Sequence, residues 1–466
     1  MEETHKQQVE AIADKVADYY GRKQPFRIYH GTTNTTRIMS FKRDEMIDVG
    51  MLGKVLSVDY VKQTAIVEPN LPMDKLVKAM LKYGLIPPVV MEFPGITVGG
   101  GIQGAGGESS SFRWGCFNRI FNWYEMVLAN GEIIRASPKE HADLFDGTAS
   151  SCGTLGIITA AEIQLVPARK YVELTYLPVD SYEAAVKKFE VEIINDHDFI
   201  DGVMFGPDHG LVIVGKMVDK PSGYVHRFSR AHDEWFYLHT EKIDRGGQEL
   251  TESVPLVDYL FRHDRGAFWA GSFAFERFGV PFNRFTRWLL NPILHTRKLY
   301  EALQASGASQ EYIAQDLGVP LERTAEFMDF VDRELGIRPL WICPLKPDPK
   351  SPLQLNGLDV PMVINVGVWG SRYRSYNEFV AANRLIEKRL YELGGKKWFY
   401  AYSFYTENEF WSIYDKTWYD RLRKKYHATS LPTVYDKISV TKQVEVSSKR
   451  GIRQALFGRA KLPVNK

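Results

Sequence analysis

Pro94-Gly-Ile-Thr-Val-Gly-Gly-Gly-Ile-Gln-Gly-Ala-Gly-Gly107 is the stretch on which the reading of this protein turns. Half of these positions are glycine, yet Ile96, Val98 and Ile102 are threaded among them. A flexible linker is polar throughout. Glycine set among packed apolar side chains means positive φ or a group lying against bare backbone. A flat ring or a pyrophosphate demands such a surface, and a concave run of N–H groups holds phosphate oxygens without a cationic side chain. Gly99 to Gly104 also satisfies G-x-G-x-x-G, but that motif should follow a buried strand and open a helix. Here Pro-Gly-Ile-Thr precedes it, and Gly106, Gly107, Glu108 and three serines follow. No helical stripe starts there, and no acidic ribose-binding residue comes at the expected distance. The stretch reads as a packed ligand-binding loop.

Outward from the loop, residues 5–20 read as an amphipathic helix, with Val9, Ile12, Val16 and Tyr19 on one face. Val55–Tyr60 and Thr64–Val67 read as paired strands. A helix opens at Pro72 and stops at Gly84. Met126–Ala129 and Glu132–Arg135 flank Asn130-Gly131, a type I′ hairpin signal. Ser137-Pro-Lys-Glu140 reads as a capping box opening a helix that ends near Asp146. Ser151-Cys-Gly-Thr-Leu-Gly156 turns into a strand at Ile157–Val166. Beyond Pro167 the spacing predicts strands at Lys170–Val179, Phe199–Phe205 and Leu211–Met217, and a helix at Ser181–Ile194. A second set follows: strands near 338–344 and 362–369, a helix at Asn377–Gly394 and a strand at Trp398–Phe404. Together these suggest two β-α-β-β-like halves of one sheet, with 220–335 less regular and no repeat visible in the sequence.

Composition narrows the function classes. The chain has 466 residues, 44% hydrophobic and 25% charged, with a net charge of +2, which is the profile of a globular protein with no nucleic-acid partner implied. Aromatic residues reach 13%, which suits a large apolar ligand and a large core equally. Cys116, Cys152 and Cys343 are too sparse for a disulfide framework or a zinc site, so no metal is expected and a reducing compartment is. The N-terminus is too charged for a signal peptide, and no run reaches the ~18–20 apolar residues of a membrane span.

Pro94–Gly107 with Glu108-Ser-Ser-Ser-Phe-Arg-Trp-Gly115 resembles the second flavin loop of the vanillyl-alcohol-oxidase (PCMH-type) family, in the version found in Δ24-sterol reductases. The Asn130-Gly131 hairpin and Ser151–Ile163 follow at that family's spacing. His263-Asp-Arg265-Gly-Ala-Phe-Trp269, Trp341-Ile-Cys-Pro344, Glu409-Phe-Trp411 and Tyr435-Asp-Lys437 extend the likeness over nearly the whole sequence. The resemblance implies an α+β protein: a two-part FAD-binding domain with an inserted antiparallel-sheet cap. The expected division is 1–168 for the FAD-binding part, 169–404 for the cap or substrate part, and 405–466 returning to the FAD part. It implies FAD contacts from Gly31, Thr32, Thr33, Asn34 and Thr35 in the first loop. The second loop would use Thr97, Val98, Gly99, Gly100, Gly101, Gly104, Gly106, Glu108, Ser109 and Ser110. Gly153, Gly156, Ile157 and Ile158 would add backbone contacts. His30 precedes Gly31, and Cys116 follows the second loop, so neither matches the family's covalent attachment points, and dissociable FAD is expected. The first loop departs from the family in being rich in hydroxyls rather than glycine. No N-terminal anchor like that of the animal and plant members is expected.

The implied activity is reduction of a C=C bond (Δ24) in the side chain of a sterol or similar isoprenoid, with NADPH as electron donor. Such chemistry needs a hydride source on one side of the olefin and an acid on the other. His263, Tyr402, Tyr405, Tyr435 and Lys437 are the candidate acids or orienters, although a lone Tyr or His in a core strand is usually a packed, hydrogen-bonded residue. The alternatives are a flavin oxidase or dehydrogenase of an alcohol or lactone, and a flavin-binding scaffold without turnover. Arg262, His263, Arg265, Arg277, Arg284, Arg287, Arg297 and Lys298 punctuate the aromatic-rich stretch Phe268–Leu299, which reads as cap helices with a solvated face or as a lipid entry surface. A cytoplasmic protein is expected, with peripheral contact to the endoplasmic reticulum membrane and no span.

Overall fold

The computed structural model describes residues 2–439, 442–458 and 464–465; residues 440–441, 459–463 and 466 of the expected C-terminal segment lie outside them. Helix α1 (Glu2–Gly21) forms where Val9, Ile12, Val16 and Tyr19 recur at helical spacing, and all four are buried. Strands β1 (Val55–Asp59) and β2 (Thr64–Val67) pair antiparallel. Helix α2 (Met73–Met80) buries Met73, Leu76, Val77 and Met80, and Gly84 stops the backbone after it at φ 69°. Strands β3 (Phe121–Val127), β4 (Ile133–Ala136) and β5 (Ile157–Gln164) complete a five-stranded sheet in the order β1-β2-β5-β3-β4.

Three local expectations are corrected here. The glycine run is helical: Val98–Gly104 forms a short helix with Thr97 as its cap, the Thr97 Oγ1 accepting from Gly100 N at 3.2 Å. Glycine disfavours a helix by about 1 kcal/mol per residue, but Val98 and Ile102 are fully buried on its inner face and override the propensity. The Asn130-Gly131 hairpin is not type I′. Only Gly131 has positive φ (90°), and Leu128 N bonds to Glu132 O, giving a three-residue loop closed by a left-handed glycine. Ser137 Oγ does accept from Lys139 and Glu140 N, but the helix starts later, at Ala142–Thr148, after His141 turns left-handed at φ 53°.

The second sheet has eight strands, all antiparallel. Its first half is β6 (Tyr171–Val179), a helix at Tyr182–Glu192, β7 (Phe199–Gly206) and β8 (His209–Val218), with β9 (Leu250–Pro255) added at the edge. Its second half is β10 (Tyr312–Pro320), a helix at Thr324–Leu335, β11 (Leu340–Leu345) and β12 (Val363–Arg372), with the short β13 (Lys396–Lys397) at the far edge. The order is β9-β6-β8-β7-β11-β12-β10-β13. From the central β7–β11 seam outward, each half runs second, third, first strand. The two halves are one β-α-β-β unit used twice.

This corrects the sequence reading of the second half. Its first strand is β10, inside the region read as irregular, and its helix is Thr324–Leu335. The helix expected at Asn377–Gly394 exists as Tyr376–Glu392, outside that unit. Trp398–Phe404 is not a strand, because only Lys396–Lys397 pairs with β10 before the backbone leaves the sheet edge.

One core unites α1, α2 and the five-stranded sheet with Phe399, Tyr405, Phe410, Tyr414, Tyr419, Leu422, Val434 and Ile438 of the C-terminal helices. A second fills one face of the eight-stranded sheet against the three helices Tyr182–Glu192, Thr324–Leu335 and Tyr376–Glu392. On the opposite face, a third cluster (Val172, Leu174, Phe199, Ile213, Phe228, Phe236, Tyr259) fills the β6–β8 half. That face of the β10–β12 half borders a cavity.

Candidate active site

The cavity holds about 900 Å³ and is walled by both parts of the protein. From the first part come the loop 32–37, the glycine run and the turn at 150–153. From the second come Asp316, Trp341 and Trp369, joined by Trp398–Tyr400 and helices at Ala270–Phe278, Thr296–Ser306 and Ser448–Phe457.

One group of lining residues is cationic. Arg27, Arg37 and Lys437 face the cavity, and among the described residues none forms an ion pair with a carboxylate. Arg37 Nη1 donates to Lys437 O at 2.5 Å, its Nε has no partner, and Lys437 Nζ donates to Cys152 O at 2.8 Å. Burial pulls the guanidinium of Arg37 below its ordinary value and the ammonium of Lys437 down to about 8. Buried positive charge without a counter-charge is costly. An anion such as a pyrophosphate would supply the missing partner, and the hydroxyls of Thr32, Thr33 and Thr35 border the same space.

The glycines serve shape more than donation. The N–H groups of Val98, Gly99, Gly100 and Gly101 go to Leu71 O, Pro69 O, Thr97 Oγ1 and Thr97 O, and Gly106 N goes to Gly101 O. The expected concave run of free N–H groups is therefore not present, and the cationic side chains answer the need instead. A Cβ on Gly99 would lie 2.7 Å from Pro69 Cβ, whereas one on Gly104 meets nothing within 4 Å and points into open space. A flat group can lie there against bare backbone.

A second group is acidic and aromatic. Glu92 and Glu108 are buried together, Glu92 N donating to Glu108 Oε1 at 3.2 Å, and burial raises both carboxyl groups. The charge of Glu92 adds to the rise at Glu108. Asp316, on β10, receives the hydroxyl of Tyr400 on Oδ2 and Asn365 Nδ2 at 2.8 Å on Oδ1. Burial pushes its carboxyl up to about 7, with the Glu92 charge adding and hydrogen bonds from Tyr400, Asn365 and Trp369 opposing. Phe268, Trp341 and Trp369 stand beside it, with ring centroids 4.4 to 6.1 Å apart.

Most of the expected contact residues line the cavity: Thr32, Thr33, Asn34, Thr35, Thr97, Gly99, Gly100, Gly101, Gly104, Gly106, Glu108, Gly153, Ile157 and Ile158. Five do not. Gly31 turns the first loop at φ 89°, Val98 is in the core, and Gly156 faces Val127 O, which a Cβ would meet at 2.8 Å. Ser109 is taken by Tyr259 at 3.0 Å, and Ser110 is buried behind the loop. Gly153 N is already bonded to Gln103 Oε1 at 2.9 Å.

Of the expected catalytic residues, only Lys437 reaches the cavity, and it sits in the cationic group. His263 is buried behind Phe268, stacked at 3.6 Å, and burial next to Arg262 keeps it neutral. Tyr402 bonds to Ser309 at 2.9 Å and Tyr435 to Tyr405 O at 3.2 Å, neither on the cavity wall; Tyr405 is buried near Glu387. Arg262 and Arg265 are internal too, Arg262 paired to Asp201 at 2.6 Å and Arg265 on the carbonyls of Phe228, Ala231 and Asp233.

Arg27, Arg37, Asp316 and Tyr400 were not anticipated. Asp316 did carry a signal, as the lone charge in Tyr312-Ile-Ala-Gln-Asp-Leu-Gly-Val-Pro320. His226, His239 and Glu252 cluster like metal ligands, but off the cavity, and Glu252 is already taken by His239 at 2.8 Å and Tyr176 at 2.7 Å. No helix among the described residues is long and apolar enough to cross a membrane.

Residues 5–137 match the FAD binding domain family. The chain is 30% identical to the Delta(24)-sterol reductase of Rattus norvegicus over 456 residues, covering 93% of this chain and 86% of that protein. It is 30% identical to that of Arabidopsis thaliana over 439 residues, covering 86% and 77%. Cytokinin dehydrogenase 9 of Oryza sativa subsp. japonica is similar over 125 residues only, at 34% identity, 26% of this chain and 24% of that protein. With a cavity that pairs uncompensated cations with bare-backbone glycines, and with similarity running almost end to end, this chain belongs to the Δ24-sterol reductase family of FAD-binding proteins.

Proposed function

We infer that the protein is an FAD-dependent reductase of a C=C bond in the side chain of a sterol or similar isoprenoid lipid, with NADPH as electron donor. The observation that carries this beyond family membership is the two-part lining of one cavity. Its cationic group suits the cofactor's phosphates. Its aromatic and aliphatic wall, from Phe268, Trp341 and Trp369 to Leu290, Ile293 and Leu303, suits a large apolar substrate. When bound, FAD supplies the hydride. Arg27, Arg37 and Lys437 would hold its pyrophosphate, Thr32 and Thr33 would add hydroxyl contacts while Thr35 fixes the loop through the Tyr400 carbonyl, and Gly99, Gly100 and Gly104 would leave room for its planar parts. His30, kept neutral by burial, lines the cavity without matching a covalent attachment point, so the flavin is held non-covalently. The protein divides as 1–168 for the cofactor, 169–404 as a cap over the substrate, and 405–466 returning to the cofactor part.

The substrate reaches the cavity from a membrane surface. Phe278, Ile452 and Leu456 both line the cavity and lie open to solvent, and Phe285 (64% exposed), Leu289 (57%) and Phe457 (82%) extend this apolar face. Residues 277–298 and 446–458 contain no Asp or Glu, and although Arg277, Arg297 and Lys298 pair with Glu311, Asp74 and Glu301, Arg284, Arg287, Lys449 and Arg453 add positive charge. An apolar face with a basic surround fits peripheral attachment to an anionic bilayer.

The test is anaerobic absorbance of the purified holoenzyme. NADPH should bleach the flavin, and a Δ24 sterol should restore it. A flavin that stays oxidised with NADPH, but is bleached by an alcohol or lactone, overturns the reductase reading in favour of a dehydrogenase.

A further inference from the structure

We propose that Asp316 is the acid that protonates the olefin, with Tyr400 and Asn365 stabilising the carboxylate it leaves behind. This rests on the reductase reading above and adds to it the missing proton source.

A C=C bond without an activating carbonyl accepts hydride only once a proton is arriving at its other carbon. The acid must therefore be protonated in the resting enzyme, face an apolar cavity, and become a tolerable anion when it acts. Asp316 meets each requirement. On β10, Tyr312, Ala314 and Asp316 point to the cavity, whereas Leu317 and Val319 join the core on the other face. No cation pairs with Asp316 among the described residues, and the carboxyl is buried, so it is raised to about 7 and a large fraction keeps its proton near neutral pH. Tyr400 and Asn365 are donors already aimed at its two oxygens, so the new charge needs no reorganisation. The other ionisable groups facing it are Glu92, Tyr300 and Tyr400. Tyr300 and Tyr400 hold their protons far above neutrality, and the Glu92 charge favours the protonated acid.

The step balances. The π pair of the olefin forms a C–H bond with the Asp316 proton, leaving the carboxylate. The other olefinic carbon, now electron-poor, gains the hydride and its electron pair, and the carboxylate is re-protonated from solvent. Trp341, Trp369 and Phe268 line the same cavity, and aromatic rings there favour developing positive charge by cation–π interaction.

The experiment uses FAD-loaded Asp316→Asn and Tyr400→Phe beside the wild type. Rates of flavin reduction by NADPH and of re-oxidation by a Δ24 sterol are measured separately between pH 5.5 and 9. Infrared difference spectra between H2O and D2O detect protonated carboxyl groups without turnover. D316N should slow the sterol step by about 10²–10⁴-fold, the usual worth of a general acid, and far more than it slows reduction by NADPH. The wild-type sterol step should fall above a pH of about 7. Y400F, with one donor fewer, should move that fall to higher pH, which a merely structural role would not do. A protonated-carboxyl band should vanish in D316N. A sterol step in D316N within tenfold of wild type, or an unchanged band, overturns the proposal alone. A wild-type flavin that NADPH reduces but no olefin re-oxidises removes the functional reading, and this proposal with it.

Discussion

Thr36 donates its amide N–H to the carbonyl oxygen of Tyr400 at 3.2 Å, and the Thr35 hydroxyl bonds to the same oxygen. The hydroxyl of Tyr400 in turn reaches Asp316. One tyrosine thus ties the first loop to the acid. Thr35→Val should weaken FAD binding about three- to tenfold, from the loss of one hydrogen bond of ~0.5–1.5 kcal/mol. It should also disturb the sterol step, although Thr35 makes no bond to Asp316. Flavin fluorescence titration of the apoprotein and single-turnover re-oxidation check the two effects.

Lys437 should give FAD binding a pH dependence. Its ammonium is held down to about 8 by burial, against an ordinary 10.5. A bound phosphate raises it again by attraction. The affinity should be flat below pH 8, where the lysine is already charged, and should fall by up to about tenfold per pH unit above it. Lys437→Gln should be weaker throughout and lose this slope. Dissociation constants measured from pH 6 to 9.5 decide it.

Arg37→Gln should cost about 1.5–3 kcal/mol of FAD affinity, the worth of a charge-assisted hydrogen bond. The apoprotein should be no less stable, because in the free protein the guanidinium is a buried charge without an ion-pair partner. Loss of FAD affinity together with loss of apoprotein stability would make Arg37 structural.

Arg262 and Asp201 form an ion pair at 2.6 Å with side chains 3% and 2% exposed. Arg262→Met strands the aspartate and should destabilise the fold by about 3–5 kcal/mol in urea unfolding. The double variant Arg262→Met with Asp201→Asn should recover a large part of that loss.

On anionic vesicles, Phe285→Ser, Leu289→Ser and Phe457→Ser combined should reduce sedimentation at least tenfold, since each buried apolar side chain is worth ~1.5–3 kcal/mol. Neutral vesicles should bind the wild type weakly. Equal binding to both would remove the electrostatic part of the reading.

Several elements of the first part were legible because their signals are local: α1 by its four-residue stripe, α2 by Pro72 and Gly84, β1 and β2 by their short apolar runs close together in sequence. The helix at the glycine run was not, since Val98 and Ile102 overrule four glycines of poor propensity through contacts with distant segments. β10 was missed because Gln315, Asp316 and Gly318 interrupt an apolar run, and their reasons lie in Asn383, Tyr400 and Leu355, residues far along the sequence. The cavity's glycines and threonines could be read from family resemblance. Its acid and its cations could not, because burial and the absence of a partner are properties of the folded protein.

The doubled sheet has a further consequence. Its two halves share a plan, but they differ in what they put on the face opposite the long helices. The β6–β8 half covers that face with a cluster centred on Phe228, Phe236 and Tyr259, whereas the β10–β12 half packs Cys343, Leu345 and Val363 over part of it and leaves the rest, at Ala314, Asp316 and Trp369, hollow. A hollow face forgoes the dispersion contacts that close packing gives. The filled half is therefore the ballast of the sheet, and its continuous ladder through β7 and β11 lets the other half stay open for chemistry without coming apart. Substitutions in the ballast should lower stability and spare turnover, and those in its hollow twin should do the reverse.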